Sequence, residues 1–394
     1  MFNKIAAGFI LDYLKRFNKY PFAAEAGGKT VNIGTGKPLF KIIFHDDIPK
    51  ARLLTSTSLA LGDAYIDKKI ELEGDLFTAL SALLSQADKF ELKRRSLSII
   101  KLLNPSESEK NQKKEVSSHY DLGNNFYKLW LDPTMTYSCA YFKNEGETLE
   151  QAQRDKVHHI LEKLYLKPGM TLLDIGCGWG YLLIEAAKQY GVEGYGCTLS
   201  KEQYQKGCDR VREAGLEGKV HIELVDYRDL PARGKTFDRL VSVGMLEHVG
   251  RKNYKLYMQT CSKLLKDKGL FLLHYISGAD EVSANPWIRK HIFPGGTIPS
   301  LREIIFDSYE KDVGFMVLDV ESLRRHYYKT LMCWYQNFQK VRDQVMADRG
   351  EAFCRMWDLY LCGCAAAFEL GNVDLHQILF SKGANNDLPM TRWF

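Results

Sequence analysis

The hydrophobic pattern of the first hundred residues predicts a mixture of helices and strands. Apolar residues recur at helical spacing over 4–17, which predicts an amphipathic helix. A short apolar run over 39–45 predicts a strand, and the periodicity over 75–102 predicts another helix. The pattern of the first helix favours packing within its own domain over lying on a membrane.

A polar stretch separates two parts of the chain. Residues 104–118 contain almost no apolar side chains, which is typical of a linker. We therefore predict a first domain over 1–104, a linker over 105–117 and a second domain over 118–394.

Helix and strand patterns alternate in the second domain. Strands are predicted near 170–175, 194–198, 220–225, 238–243 and 269–275, with helices near 149–166, 181–190, 201–214 and 254–265. This alternation predicts an α/β fold in which a parallel sheet has helices on both faces. Because ligands bind such sheets beyond the carboxyl ends of the strands, functional residues are expected there.

Composition narrows the class of protein. Of the 394 residues, 45% are hydrophobic and 26% are charged, as in a globular protein with a core. The nine cysteines include no CxxC pair, which favours a reducing compartment over a disulfide framework or a zinc ribbon. Charged residues interrupt the apolar N-terminus, which argues against a signal peptide, and no apolar run approaches the ~20 residues that span a bilayer.

The net charge of +5 is concentrated at the front of the chain. Residues 1–118 hold 19 Lys and Arg against 14 Asp and Glu. A basic N-terminal region would favour contact with an anionic membrane surface. An ordinary solvated surface explains the same charge distribution equally well. Nucleic acid is disfavoured as a partner because no basic stripe interleaved with aromatic residues appears.

A glycine-rich turn follows the first strand of the alternating region. Asp174-Ile-Gly-Cys-Gly-Trp-Gly180 lies between a predicted strand and a predicted helix, where glycines let the backbone approach a ligand closely. Gly176 and Gly178 do not have the G-x-G-x-x-G spacing that cradles a pyrophosphate. A cationic nucleotide without phosphates needs no such cradle.

This turn resembles the first motif of the S-adenosylmethionine (SAM)-dependent methyltransferases, which implies SAM as the cofactor. After the second strand, where such enzymes usually carry an acidic ribose ligand, the chain has Cys197-Thr-Leu-Ser200 and then Gln203. After the third strand, Asp226-Tyr-Arg228 offers a carboxylate for the adenine amino group. Ordinary capping or turn roles remain open for Thr198, Gln203 and Asp226.

Longer stretches resemble the cyclopropane fatty acid synthases, including the enzymes that act on mycolic acids. The resemblance spans roughly 119–383 and includes the unusual Thr-Leu-Ser pattern. The matching stretches are 119–130, 135–141, 197–203, 242–248, 273–276, 292–296, 330–334 and 380–383. The resemblance implies a Rossmann-like class I SAM-dependent methyltransferase domain with a smaller N-terminal α+β domain.

The same resemblance implies the site residues. Cofactor binding would fall to Tyr137, Ser138, Gly176, Gly178, Thr198, Leu199, Gln203, Asp226 and Tyr227. The catalytic set, which would bind a bicarbonate ion, is Cys139, Glu247, His274, the backbone of Ile276 and Tyr327. Tyr327 is chosen by its position three before Thr330, and the adjacent Tyr328 is the alternative. Core packing would also explain Cys139, His274 or Tyr327 taken singly.

The implied reaction explains why these polar residues occur together. An alkene that accepts the sulfonium methyl becomes a carbocation, and a proton must leave the new methyl before a ring can close. The base that the resemblance implies is bicarbonate. A buried Glu247 without a partner would be costly, and a bound anion that carries a hydroxyl would give it a donor.

We therefore expect an enzyme that adds a methylene bridge across a cis double bond of an unsaturated phospholipid. An acyl chain needs an apolar path, for which residues 287–296 and helices near 322–346 and 351–370 are candidates. A cytoplasmic protein with peripheral contact at the inner face of the cell membrane is expected, with residues 1–104 docking on the membrane or on a partner subunit. A homodimer is compatible with the sequence.

Three other functions stay open at this point. An N-methyltransferase of a small amine shares much of the sequence vocabulary, although an amine needs no bicarbonate pocket. A lipid C-methyltransferase that makes a methyl or methylene branch belongs to the same class of enzyme. A non-catalytic SAM- or lipid-binding protein would be expected to have lost part of the site, and no site residue is visibly absent.

Overall fold

The structure is a computed structural model that describes residues 4–90, 123–281, 284–392 and 394. The predicted linker at 105–117 lies outside these residues, as does the last part of the helix predicted over 75–102. None of the helices within the described ranges has the length and apolarity that crossing a membrane requires.

The chain divides into two compact units. The N-terminal unit contains 1–104, 285–292 and 331–372, and the large unit contains 105–284, 293–330 and 373–394. The predicted boundary after residue 104 separates the beginnings of the two units. However, 285–292 and 331–372, which we assigned to the second domain, group with the first unit. A contiguous division into 1–104 and 118–394 therefore describes the chain only in part.

The helices, in chain order, are α1 (Lys4–Leu14), α2 (Lys50–Thr55), α3 (Thr57–Ile66), α4 (Leu76–Leu84), α5 (Asn124–Lys128), α6 (Leu149–Lys163), α7 (Tyr181–Tyr190), α8 (Lys201–Glu213), α9 (Tyr254–Leu264), α10 (Pro286–His291), α11 (Leu301–Ser308), α12 (Arg324–Arg349) and α13 (Glu351–Glu369). The strands are β1 (Phe22–Ala26), β2 (Lys29–Ile33), β3 (Lys41–Phe44), β4 (Ile70–Glu73), β5 (Thr171–Ile175), β6 (Glu193–Thr198), β7 (Val220–Leu224), β8 (Phe237–Val243), β9 (Leu265–Ser277), β10 (Phe315–Ser322) and β11 (Asp374–Lys382).

The N-terminal unit has a four-stranded sheet in the order β2-β1-β3-β4. Strands β1 and β2 form a hairpin whose two-residue turn is Gly27-Gly28, and both glycines have positive φ, as the tight turns of hairpins require. The predicted N-terminal helix and the strand over 39–45 are confirmed as α1 and β3. The helix predicted from residue 75 ends at Leu84 within the described residues.

Helix α13 belongs to the same unit because it covers apolar faces of α3 and α4. Arg355 of α13 donates to the carbonyl oxygens of Tyr65 and Ile70, over 2.6 and 2.7 Å. These bonds satisfy backbone groups between the end of α3 and the start of β4. We did not predict that a helix whose Arg355 lies 290 residues after Tyr65 would complete this core.

The large unit contains a seven-stranded sheet in the order β10-β11-β9-β8-β5-β6-β7. The five strands from β9 to β7 are parallel, whereas β11 pairs antiparallel with both β9 and β10. The predicted α/β fold is therefore confirmed, with an antiparallel addition at one edge that we did not predict. Many doubly wound sheets carry such an edge.

Strand order places a crevice at one end of this sheet. From β5 the chain moves outward through β6 and β7 and then returns to β8 on the other side of β5. Helices that leave neighbouring strands in opposite directions open a gap at the carboxyl ends of β5 and β8.

Candidate active site

A cleft opens at the carboxyl ends of the parallel strands of the large unit. The turns after β5, β6, β7 and β8 line it, together with residues 134–138 and the inner face of α6. Its volume is about 1200 Å³, including open solvent at its mouth. This is the end of the sheet at which we expected a ligand to bind.

The glycine-rich turn presents bare backbone to this cleft. Gly176 and Gly178 have φ values of +84° and +54°, a region that side chains disfavour. The N–H groups of Gly176 and Cys177 donate to the Cys197 carbonyl over 3.0 and 3.1 Å, which fixes the turn against β6. A Cβ atom on Gly176 would lie 3.0 Å from a side-chain carbon of Met245. Both predicted glycines line the cleft.

Thr198 and Gln203 lie together at the end of β6. Thr198 Oγ1 donates to Gln203 Oε1 over 2.9 Å, and both residues line the cleft with Leu199. The cap of α8 is Ser200, whose Oγ accepts from the Gln203 N–H over 3.3 Å. Thr198 also accepts from the Ser200 N–H over 3.2 Å, so it has a turn role as well as a place in the cleft.

Asp226 is buried, and its carboxylate is paired with a neighbour. Arg228 donates to it from its backbone N–H, Nε and Nη2, over 3.0, 2.9 and 2.7 Å. Tyr227 and Arg228 line the cleft, and burial raises the pKa of Tyr227, which keeps its hydroxyl neutral. An adenine amino group that reached Asp226 would share the carboxylate with Arg228.

Tyr137 and Ser138 line the opposite side, next to a buried lysine. Lys156 on α6 donates to Ser138 Oγ over 2.9 Å. Burial lowers the pKa of Lys156 to about 8 and raises the pKa of Asp174 to about 7, while their charges attract each other. Among the described residues, Asp174 Oδ1 is buried without a hydrogen-bond partner. Burial therefore disfavours the charged form of both groups, and their mutual attraction opposes this effect.

Glu247 and Ile276 are bonded to each other, and Glu247 lies between residues that line this cleft. Glu247 lies in the turn after β8, and the Ile276 N–H donates to its Oε1 over 2.7 Å. His274 and Ile276 are two residues apart on β9 and so share one face of that strand. Glu247 Oε2 and His274 Nε2 are both buried without a hydrogen-bond partner among the described residues.

Their environment sets the protonation of these two groups. Burial raises the pKa of Glu247 to about 7, although the bond from the Ile276 N–H lowers it somewhat. The side chain as a whole is partly exposed, whereas its Oε2 atom is buried. Burial also lowers the pKa of His274 well below its usual value, which favours the neutral imidazole.

Cys139 Sγ and the backbone N–H of Tyr327 both contact Leu323, the residue just before α12. Cys139 Sγ lies 3.8 Å from the Leu323 carbonyl oxygen, which also accepts from the Tyr327 N–H over 3.0 Å. Cys139 is fully buried, and burial raises the pKa of its thiol far above the usual value. The charges of Lys156 and Glu321 affect the pKa values of both Cys139 and His274.

The sequence matches the family model for mycolic acid cyclopropane synthetase over residues 107–378. The chain belongs to this family. A second model, for a domain of unknown function, matches residues 13–95 and so covers most of the predicted N-terminal domain.

Relatives of this synthetase-family chain match over most of its length. It is 43% identical over 349 residues to a probable fatty acid methyltransferase of Pseudomonas putida, covering 84% of this chain and 85% of that one. It is 40% identical over 347 residues to the cyclopropane-fatty-acyl-phospholipid synthase of Escherichia coli K12, covering 86% and 87%. A solved structure of mycolic acid cyclopropane synthase CmaA1 complexed with SAH and CTAB matches 68% of this chain and 98% of that one, with 36% identity and a TM-score of 0.64.

These matches confirm the predicted family, the Rossmann-like methyltransferase fold and the class of enzyme. The chain is a SAM-dependent methyltransferase of the mycolic acid cyclopropane synthetase family, and SAM is the cofactor that the comparisons support. The residues present fit SAM, because bare glycine backbone, the Thr198–Gln203 pair and a buried Asp174 carboxylate line one cleft.

Four polar residues at this synthetase site were not predicted. Lys156 and Lys163 lie on the buried face of α6, Arg228 pairs with Asp226, and Gln377 contacts His274. The two lysines carried a signal, since they fall at helical spacing on the apolar stripe that includes Ile160. Gln377 carried none, because its strand was not predicted.

Proposed function

We propose that this synthetase-family enzyme converts a cis double bond in the acyl chain of an unsaturated membrane phospholipid into a cyclopropane ring. SAM supplies the new ring carbon as its sulfonium methyl group. The carbon–sulfur bond breaks as the alkene takes this carbon, one of its protons then leaves, and a second carbon–carbon bond closes the ring. The net products are the cyclopropane lipid, S-adenosylhomocysteine and a proton.

The observation that supports this proposal is that Glu247 Oε2 and His274 Nε2 are buried and have no hydrogen-bond partner in the described part of the chain. Each buried polar group without a hydrogen bond destabilises the fold by about 1–3 kcal/mol. A bound molecule that made these hydrogen bonds would recover that free energy. A carboxylate oxygen accepts and an imidazole N–H donates, which together suit an anion that carries one hydroxyl. Bicarbonate has this composition, and when bound it would supply the base that removes the proton.

The chain's own residues would then position the anion and keep other reactions out. Glu247 would accept from its hydroxyl, and His274 would donate to one of its oxygens. Cys139 would contribute a neutral thiol, because burial raises its pKa and disfavours the nucleophilic thiolate. Tyr327, one turn after Leu323, would contribute its phenol.

Ile276 has a role in the structure that differs from the predicted one. Its N–H donates to Glu247 Oε1 and so orients the carboxylate. A bond from the same N–H to bicarbonate remains a prediction, and it would require the N–H to be shared between the two oxygens.

We also propose peripheral contact with an anionic membrane through the N-terminal unit. The excess of Lys and Arg in residues 1–118 supports this contact. An enzyme that acts on a membrane lipid must draw an acyl chain from the bilayer, since ~8 methylenes left in water would cost about 6 kcal/mol.

The test is to incubate the full chain with SAM and vesicles of unsaturated phosphatidylglycerol, in buffer stripped of carbon dioxide and in the same buffer with added bicarbonate. We expect lipids that gain one CH2 and lose the alkene signal, and much more product when bicarbonate is present. Gain of CH2 with the alkene retained would indicate a methylene branch instead. Lipids that stay unmodified while an added amine is methylated would overturn the lipid assignment.

A further inference from the structure

His274 and Gln377 face each other across two antiparallel strands. They are direct partners in the register of β9 and β11, and both are buried, with 1% and 0% of their surface exposed. Gln377 Nε2 lies 3.2 Å from His274 Nδ1. One nitrogen of the imidazole is therefore already engaged, and the other is the unpartnered Nε2.

The orientation of the Gln377 amide is fixed from its other end. Lys163 Nζ lies 3.0 Å from Gln377 Oε1, and Lys163 is itself buried. An ammonium group has only donors, so the amide must turn its oxygen toward Lys163 and its NH2 toward His274. The reverse orientation would bring two donors face to face in a site with no exposed surface, where an unmade hydrogen bond is costly.

Acidic side chains keep the Lys163 ammonium in place. Glu321 forms a close ion pair with it, and Asp319 lies 3.6 Å away. Glu321 is also bonded to His159 over 2.7 Å. Burial would raise the pKa of Glu321, but His159 and Lys163 together lower it to about 2, so the carboxylate that holds Lys163 stays ionised.

We propose that Lys163 and Gln377 hold His274 as the tautomer that carries its proton on Nε2. The Gln377 NH2 can only donate, so His274 Nδ1 must accept and cannot carry a hydrogen. A neutral imidazole with Nδ1 as acceptor has its proton on Nε2. Burial favours that neutral form, and so do the nearby Lys156, Lys163 and His159, while Glu321 opposes them.

The assigned tautomer extends the proposed function. Only the identity of the bound anion rests on that proposal. With a proton on Nε2 and no lone pair there, His274 donates a hydrogen bond into the site and does not serve as the base. Glu247 Oε2 is the matching acceptor. The pair therefore distinguishes bicarbonate, which has a hydroxyl donor, from acetate or formate, which have none. Lys163 and Gln377 are positioning residues that act through His274.

The tautomer can be measured directly in the full-length enzyme. With ¹⁵N-labelled histidine, the ring signals of His274 are identified by their absence in the His274→Gln variant. We expect a protonated Nε2 and an unprotonated Nδ1 at pH 7, without added bicarbonate. A protonated Nδ1, in either the neutral ring or the imidazolium, would overturn the proposal.

The Gln377→Glu variant reverses the pattern in the same spectrum. Its carboxylate accepts from Lys163 and offers His274 an acceptor, so we expect the proton to appear on Nδ1. If Nδ1 stays unprotonated in this variant, Gln377 does not control the tautomer and the proposal fails. The wild-type spectrum decides the question by itself should the variant not fold.

Kinetics separate this inference from the proposed function. The Gln377→Met variant is expected to raise the KM for bicarbonate about tenfold while the KM for SAM stays unchanged. The control is Ser381→Ala, which changes a buried side chain on the same strand. Within the described residues, the Ser381 hydroxyl donates to the Gly383 carbonyl over 2.7 Å. Equal changes in both KM values, or the same change in the control, would indicate a structural role.

If the wild type needs no bicarbonate, the proposed base is wrong, whereas the spectrum still tests the tautomer.

Discussion

The backbone N–H of Ile276 donates to Oε1 of Glu247 over 2.7 Å, and Oε2 of the same carboxylate is buried without a hydrogen-bond partner among the described residues. One oxygen thus orients the group, and the other is shielded from water. Burial raises the pKa of Glu247 to about 7, although the bond from Ile276 lowers it. Strongly perturbed acids in a cleft are typical of functional sites, and two predictions follow from this residue.

The Glu247→Gln variant should lose ring formation and keep its cofactor. An amide oxygen can still accept from Ile276, but the amide NH2 cannot accept a hydroxyl proton from a bound anion. We expect turnover on lipid vesicles to fall about 100-fold or more, in the range seen when a proton-transfer partner is removed. Affinity for S-adenosylhomocysteine, measured by calorimetry, should be unchanged.

A suitable control for this variant is Glu213→Gln, since Glu213 is exposed at the end of α8. It should behave as wild type in both measurements. Full turnover by Glu247→Gln would remove Glu247 from the mechanism, and loss of cofactor binding would point to a damaged fold instead.

The same substitution should change how stability depends on pH. The pKa of Glu247 is about 7 in the folded chain and near 4.5 without the fold, so between these values the folded state holds a proton that the unfolded state releases. The contribution of this residue to stability therefore falls as pH rises from about 4.5 to 7, and glutamine has no such loss. Relative to wild type, Glu247→Gln should gain about 1–3 kcal/mol between pH 5 and pH 8, nearer the lower figure because the residue is partly exposed.

Urea unfolding at the two pH values, without bicarbonate, measures this difference. An equal gap between variant and wild type at pH 5 and pH 8 would show that Glu247 titrates normally. Bicarbonate added at pH 8 should then stabilise the wild type and leave the variant unchanged, because only the carboxylate can accept from the anion.

Periodicity predicted the parallel part of the large sheet well. The run at 170–175 became β5 and the run at 238–243 became β8, because their central pairs, Leu172-Leu173 and Leu240-Val241, are apolar and buried, as expected of strands covered on both faces. The two antiparallel strands at one side of the sheet, β10 and β11, were not predicted. In β11, Gln377 and His376 interrupt the apolar run, and β10 is only partly buried along most of its length.

The predicted cofactor residues lie in short local motifs, whereas the predicted catalytic residues have contacts that are distant in sequence. Gly176, Gly178, Thr198 and Gln203 lie in short motifs at strand ends, so each motif carries its own structural context. His274 is different, because its hydrogen-bonding state depends on a residue more than a hundred positions later in the chain. Sequence spacing holds no information on such a pairing unless the strand register is known.

The Thr198–Gln203 pair allows a test of the cofactor site. In Gln203→Leu, Thr198 Oγ1 loses its acceptor and the cleft loses an amide, so we expect about tenfold weaker binding of SAM with little change in kcat. Ser200→Ala is the matched control, since Ser200 caps the same helix. It should cost about 1 kcal/mol of stability and leave SAM affinity unchanged. Weaker binding in both variants would indicate that the helix start, and not Gln203, matters.

The membrane role of the N-terminal unit cannot be tested cleanly by deletion. Because α13 packs on α3 and α4, removing the first 105 residues would expose an apolar helix face in what remains. Exposed apolar surface promotes both aggregation and unspecific binding to lipid. Substitutions at the surface of the intact chain avoid this problem.

Reversal of charge at Lys29 and Lys37 is the better experiment. Both lysines are exposed in the N-terminal unit, and each Lys near an anionic surface contributes about 1 kcal/mol to binding. The Lys29→Glu, Lys37→Glu double variant should therefore bind phosphatidylglycerol vesicles at least about tenfold more weakly at low salt, with a smaller difference at high salt because exposed charges are screened. The control is Lys167→Glu with Lys219→Glu, which makes the same change in net charge at exposed positions of the large unit. Equal weakening of vesicle binding in both double variants would mean that net charge, rather than the N-terminal unit, directs the enzyme to the membrane. No weakening in either variant would show that charge at these positions does not contribute to membrane binding.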